Sequence, residues 1–204
     1  MSPPNNAEQH QEAFCHPEQH EASHHQEAHD ETLGAAAQQH PIVEAAAAAP
    51  QPQLSEGEKK ALQIHNQARR DVSKSTGHNR PDLVWDNKLE KDATAYAQHL
   101  CRANKGLQHS SGDQRPGQGE NLAWSKPQGS VEGGSQMWVN EKKNYHGEKI
   151  GEGNFGAYGH FTQMIWPSTK RLGVGMARDD DGGVFVVGRY SPPGNFSGKS
   201  AYTG

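Results

Sequence analysis

The sequence predicts one α+β domain behind a long polar tail. Three observations carry that class: helical apolar stripes fill the middle of the chain, two β-rich runs near its end form an antiparallel hairpin, and the first quarter holds almost no long aliphatic side chains. At 204 residues there is room for one domain of ordinary size and the tail.

Residues 1–53 are read as the tail. Gln, Glu, His, Ala and Pro dominate there, so too little apolar surface could be buried to offset the entropy of ordering, and disorder is expected. His-Gln-Glu-Ala recurs at 10–13 and 25–28, and seven of the thirteen histidines lie in this stretch. The tract reads as a solvated low-complexity linker, with weak transition-metal binding as the alternative.

The domain spans residues 54–204. Ser55-Glu56-Gly57-Glu58 has the form of a capping box, and Ala61, His65, Ala68 and Val72 then share one helical face. Asp86 can cap a second helix whose Leu89, Ala93, Tyr96, Ala97, Leu100 and Cys101 form a broad stripe ending before Gly106. A third helix is expected from Ser130 or Val131 to Asn144, with Met137, Trp138 and Glu141 on one face. A short fourth runs from about His160 to Trp166, where Pro167 ends it. Strands are expected at Leu172–Ala177 and Val184–Tyr190, joined through an Asp-Gly turn, and one further strand should carry Glu120 and Asn121.

Charge is segregated. Residues 1–54 hold eight Asp or Glu and no Lys or Arg, and removing those eight from the formal −4 leaves +4 for the rest. A mildly basic domain suits anionic lipid headgroups or the acidic tail itself, while the excess is too small and scattered for nucleic acid. Only Cys15 and Cys101 are present, which is no framework for a disulfide-stapled secreted domain. The N-terminus shows neither a basic region nor an apolar run, and Ser2 stands where myristoylation needs glycine. An intracellular location, cytoplasmic or peripheral on endomembranes, is therefore expected, with export by a non-classical route as the alternative.

Four segments carry candidate chemistry. His109 lies in Leu107-Gln108-His109-Ser110, Glu120 in Gly119-Glu120-Asn121-Leu122-Ala123, Glu141 in Trp138-Val139-Asn140-Glu141, and His160 in Gly159-His160-Phe161-Thr162-Gln163-Met164-Ile165-Trp166. A glutamate beside an indole on a packing face must be paired or serve a site, because burying a lone carboxylate costs too much. Together these segments resemble the CAP superfamily of cysteine-rich secretory, antigen-5 and pathogenesis-related-1 proteins. Phe185-Val186-Val187-Gly188-Arg189-Tyr190-Ser191-Pro192-Pro193-Gly194-Asn195-Phe196 resembles a second signature of that family, which usually carries Cys at the position of Gly188. That departure is most similar to the Golgi-associated pathogenesis-related subgroup, which is intracellular.

The resemblance, covering roughly Leu54 to Phe196, implies a three-layer α-β-α sandwich with a central, mostly antiparallel sheet. It also implies that His109 and His160 are ligands for zinc or another divalent cation, with Glu120 and Glu141 acting through hydrogen bonds or water. Two protein ligands make an open site of modest affinity. A purely structural role for the four residues, as a polar core joining chain segments, is the competing reading. A third is a metal-dependent hydrolase or protease in which a glutamate activates water. Ser110 and Ser111 beside His109 lack the nucleophile-elbow pattern of a serine hydrolase. Phe155, Tyr158, Phe161 and Trp166, interspersed with glycines, read as core packing or as a flap over an apolar cavity for a sterol or fatty acid. A non-enzymatic module binding lipid or an anionic membrane surface is thus the leading expectation, with self-association into a homodimer as a further one implied by the subgroup.

Overall fold

The computed structural model describes residues 53–203. The expected tail, Cys15 included, lies outside the described residues. The first described helix starts at the capping residues read from the sequence. Ser55 N–H donates to Glu58 Oε2 at 2.7 Å and Glu58 N–H donates to Ser55 Oγ at 3.4 Å, so both partners of the capping box are engaged. Helix α1, Glu56–Thr76, follows and ends at Gly77, whose φ of 74° is the left-handed conformation favoured there. Helix α2, Asn87–Ala103, opens under Asp86, whose carboxylate accepts from Lys88 and Leu89 N–H.

A two-residue strand β1, Val84–Trp85, lies between these helices and is too short to leave a periodic signal. Strand β2, Gly119–Ser125, precedes helix α3, Val131–Asn140. Helix α4, Gly159–Met164, precedes the hairpin β3, Arg171–Arg178, and β4, Val184–Ser191. The sheet order is β1-β3-β4-β2, antiparallel apart from the parallel β1–β3 pair.

Alternation along the strands sorts two cores onto opposite faces. Val184 and Val186 join α1, α3 and α4 in the larger cluster, while Phe185, Val187 and Leu122 meet Ala93, Ala97 and Leu100 of α2 in the smaller one. This is the expected α-β-α sandwich. Glycines in β3 bring α2 down to backbone contact, because a Cβ at Gly173 would collide with Leu89 and Glu90 and one at Gly175 with Thr94. Among the described residues no helix is long and apolar enough to cross a membrane.

Two expectations need correction. The α-helical part of α3 stops at Asn140, and Glu141–Asn144 continue as a 3-10 turn. Met137 is 46% exposed and does not share the buried face of Trp138. Glu141 is thereby released from the α3 register to reach α4. The C-terminal segment is held by Arg80, which is buried and donates to the carbonyls of Ile165, Ala201 and Tyr202. Arg69 likewise donates to the carbonyls of Pro81, Met164, Trp166 and Thr169. Two buried guanidiniums, satisfied by backbone oxygens, tie α1, the end of α4 and the C-terminal segment into one body.

Candidate functional site

The four candidate residues form two imidazole–carboxylate pairs. His109 follows α2 on a loop pinned by the Tyr96 hydroxyl, which donates to Gln108 O at 2.7 Å. Its Nδ1 lies 2.7 Å from Glu120 Oε1. The same carboxylate accepts from Ser110 N–H at 3.0 Å and Ser110 Oγ at 2.8 Å, and pairs with Arg189 Nη2 at 2.9 Å. Four donors fill the acceptor positions of one carboxylate. Burial alone would raise the Glu120 carboxyl, but the His109 hydrogen bond and the Arg189 charge, helped by the Ser110 bond, outweigh it and hold the group below the ordinary carboxylate range.

The second pair is built differently. Glu141, at the start of the 3-10 turn, places Oε1 2.7 Å from His160 Nδ1, while its Oε2 accepts from the N–H groups of His160 at 2.9 Å and Phe161 at 3.3 Å. One carboxylate thus orients the imidazole and satisfies donors in the first turn of α4. Trp138 stacks on His160 with ring centroids 6.4 Å apart and its Nε1–H donates to Leu122 O at 3.0 Å.

Strand β2 connects the two pairs. Glu120 points to the α2 side, and its neighbour Asn121 points to the other, where Nδ2–H donates to His160 O at 3.0 Å and to the Tyr190 hydroxyl at 3.0 Å. Opposite Asn121 stands Gly188, where a Cβ would come within 3.0 Å of the Trp138 ring. Gly188 therefore leaves room for the indole.

Arg189, Asn121 and Tyr190 join the site without having been expected there from the sequence. A signal existed for Arg189: a charged residue inside the apolar, fully buried run of β4 demands an acidic partner. The residues of the expected aromatic cluster lie in or against the core. Tyr158, Phe161 and Trp166 are 2%, 0% and 2% exposed within the larger core, and half-buried Phe155 meets Tyr158 edge-on. The Ser110 hydroxyl donates to Glu120 Oε2 at 2.8 Å, so its proton is committed to the carboxylate. His78, His99 and His146 are exposed. Cys101 is half-buried against the α2 core and makes no disulfide with any described residue.

Among the described residues no group of three or more His, Cys, Asp or Glu is arranged to hold a metal. The donor set available is two imidazoles, each with Nδ1 committed to a carboxylate, which assigns the neutral ring's lone pair to Nε2.

This architecture recurs in known proteins. The chain is 37% identical over 144 residues to the basic form of pathogenesis-related protein 1 of Nicotiana tabacum, spanning 69% of this chain and 73% of that one. It is 37% identical over 134 residues to the Golgi-associated plant pathogenesis-related protein 1 of Homo sapiens, spanning 66% and 81%. Among solved structures it is similar to NaASP2, determined with Zn2+, at 28% identity and a TM-score of 0.61, covering 72% of this chain and 86% of that one. The profile of the Cysteine-rich secretory protein family, CAP, matches residues 62–190, and with the sandwich fold and both signatures in place the chain belongs to that family.

Proposed function

We propose that the domain is a non-catalytic binding module that takes up a divalent cation, zinc above all, through His109 and His160. The observation that carries this reading is the matched pair of 2.7 Å bonds between each Nδ1 and a glutamate. A ring that gives Nδ1–H to a carboxylate presents a more basic Nε2 in a fixed orientation, which is how ligating histidines are commonly held. Imidazole nitrogen suits zinc and other borderline ions, and two protein ligands leave coordination positions for water or a partner's group. The Zn2+ in the structure of NaASP2, a relative of the same fold, supports the choice of ion. When bound, such an ion would supply Lewis acidity and positive charge beside the two imidazoles.

The hydrolase alternative asks a glutamate to take a proton from water. Glu120 is poorly suited to act as that base, because its four acceptor positions are filled and its carboxyl is held below the usual range, the opposite of a base tuned toward neutrality. Glu141 already accepts three N–H groups.

The test is a zinc titration of the full chain followed on the 15N signals of the His109 and His160 rings, which separates this site from the tail histidines. His109→Ala and His160→Ala should each abolish the response of the remaining ring, whereas Glu120→Gln and Glu141→Gln should weaken it about 10–100-fold. No zinc response at either ring, or equal effects of all four variants, would overturn the assignment.

A further inference from the structure

We propose that Asn121 is a positioning residue that holds the two imidazole–carboxylate pairs in register, and that His65, acting through Tyr190, fixes the direction of its amide. The role rests on the cation-binding reading for its purpose but not for its geometry. His65 Nδ1 lies 2.8 Å from Ala61 O and Nε2 lies 2.8 Å from the Tyr190 hydroxyl, both deep in the core. Asn121 Nδ2 reaches that same hydroxyl and His160 O, each at 3.0 Å.

The protons of this chain can be placed at every step. A carbonyl only accepts, so His65 Nδ1 carries the proton it shares with Ala61 O. Burial, against the opposing Ala61 hydrogen bond, pushes the His65 pKa down to about 4, so the ring is neutral at neutral pH and Nε2 is an acceptor. The Tyr190 hydroxyl must then donate to Nε2, which turns an oxygen lone pair toward Asn121. One proton of Nδ2 fills that position and the other goes to His160 O. Carbonyls stand at both ends, so the chain cannot run the other way. An Asn121 amide turned by half a rotation would set oxygen against the His160 carbonyl.

The consequence is a rigid spacing. Glu120 and Asn121 are consecutive in β2, about 3.8 Å apart at Cα, and their side chains leave opposite faces of the strand. The first holds the His109 ring and the second holds the His160 backbone. Asn121 is 1% exposed and Tyr190 and His65 are 0% exposed, so none of the three touches solvent or could itself be the ligand. Their contribution is to fix where the α4 end of the site sits relative to the His109 end.

Tyr190→Phe isolates this role, since it removes one hydroxyl and keeps the ring. It leaves His65 Nε2 without a donor and Asn121 without one acceptor. In the full chain, the zinc dissociation constant read on the His109 and His160 rings should rise about 10–100-fold, as for loss of a group that orients a ligand. Amide hydrogen exchange at His160 and Phe161, whose N–H groups bond Glu141, should accelerate at least about tenfold relative to the rest of the core. Val174→Ala serves as control: it opens the same core cluster but removes none of these hydrogen bonds, and zinc affinity should stay at the wild-type value. Wild-type affinity and wild-type exchange in Tyr190→Phe, or losses no greater than those of Val174→Ala, would overturn the proposal. Should Tyr190→Phe not fold, Asn121→Ser shortens the amide while leaving the His65–Tyr190 bond, and the same readouts apply. If the wild-type chain takes up no zinc, the cation reading fails on its own, and the exchange at His160 still decides the positioning.

Discussion

The two halves of the site reach the same 2.7 Å imidazole–carboxylate geometry by opposite means. Glu120 has a side chain with 0% exposure, sits on the edge strand β2, and is neutralised by Arg189 of the neighbouring β4, which is itself 2% exposed. Glu141 is 18% exposed, stands on a 3-10 turn, and binds only N–H donors of His160 and Phe161. The difference is one of coupling. The His109 half is tied to the α2 core through a buried ion pair, whereas the His160 half hangs on the short helix α4 and on the neutral chain through Asn121, Tyr190 and His65. Damage to the first should therefore spread to global stability, and damage to the second should stay local unless it reaches the core end of the neutral chain.

The largest effect is expected where the ionic half is cut. Arg189→Met fills similar space without charge and leaves Glu120 buried and uncompensated, which should cost about 3–5 kcal/mol in urea unfolding. Adding Glu120→Gln to that variant should recover part of the loss, because the stranded charge disappears. A cost under about 1 kcal/mol for Arg189→Met would mean that the buried pair is not what anchors this half.

The neutral half is broken by acid instead. His65 has a folded-state pKa depressed to about 4 by burial, against about 6.5 in the unfolded chain, so between those values the unfolded state binds more protons. Stability contributed by the neutral ring is complete above about pH 6.5 and is lost as pH falls toward 4, roughly 3 kcal/mol across the window. His65→Gln should be less stable at pH 7 and should show a shallower decline between about pH 6.5 and about pH 4. Parallel stability–pH curves for the two proteins would show that His65 does not titrate as a buried base.

How legible this was in the sequence follows from the kind of signal each element leaves. The capping residues Ser55 and Asp86 and the stripes behind them give local, periodic cues, and α1 and α2 form where those cues place them. Met137 departs from the expected face because successive residues of a helix point about 100° apart, so it is exposed where its neighbour Trp138 is buried, while the chain tightens to a 3-10 turn only afterwards, at Glu141. Strand β1 is two residues long and exists because Lys170 and Leu172 offer carbonyls to Val84 and to Asp86 just beyond it. His109, Glu120, Glu141 and His160 are legible through their flanking motifs, but their division into pairs depends on strand β2 crossing between two loops distant in sequence. Arg189 and Tyr190 act over 69 residues to Glu120 and Asn121, a separation across which no periodicity operates. The burial of Phe161 and Trp166 in the larger core is likewise a matter of what packs over them.

The smallest effect is expected at Glu141, and it sharpens the contrast best. Glu141→Gln keeps the shape but replaces one acceptor oxygen by an NH2 group, which must face either the His160 ring N–H or the backbone N–H groups of His160 and Phe161. One of those contacts becomes donor against donor. The cost should be about 1–2 kcal/mol, the range for a hydrogen bond to a charged group in a partly exposed setting. Because the partners all lie at the start of α4, native-state hydrogen exchange should quicken within residues 159–164 and stay unchanged in α2 and β4. Exchange that quickens equally across the sheet would mean that the His160 half is as deeply coupled to the core as the His109 half, and the distinction between an ionic anchor and a local cap would fall.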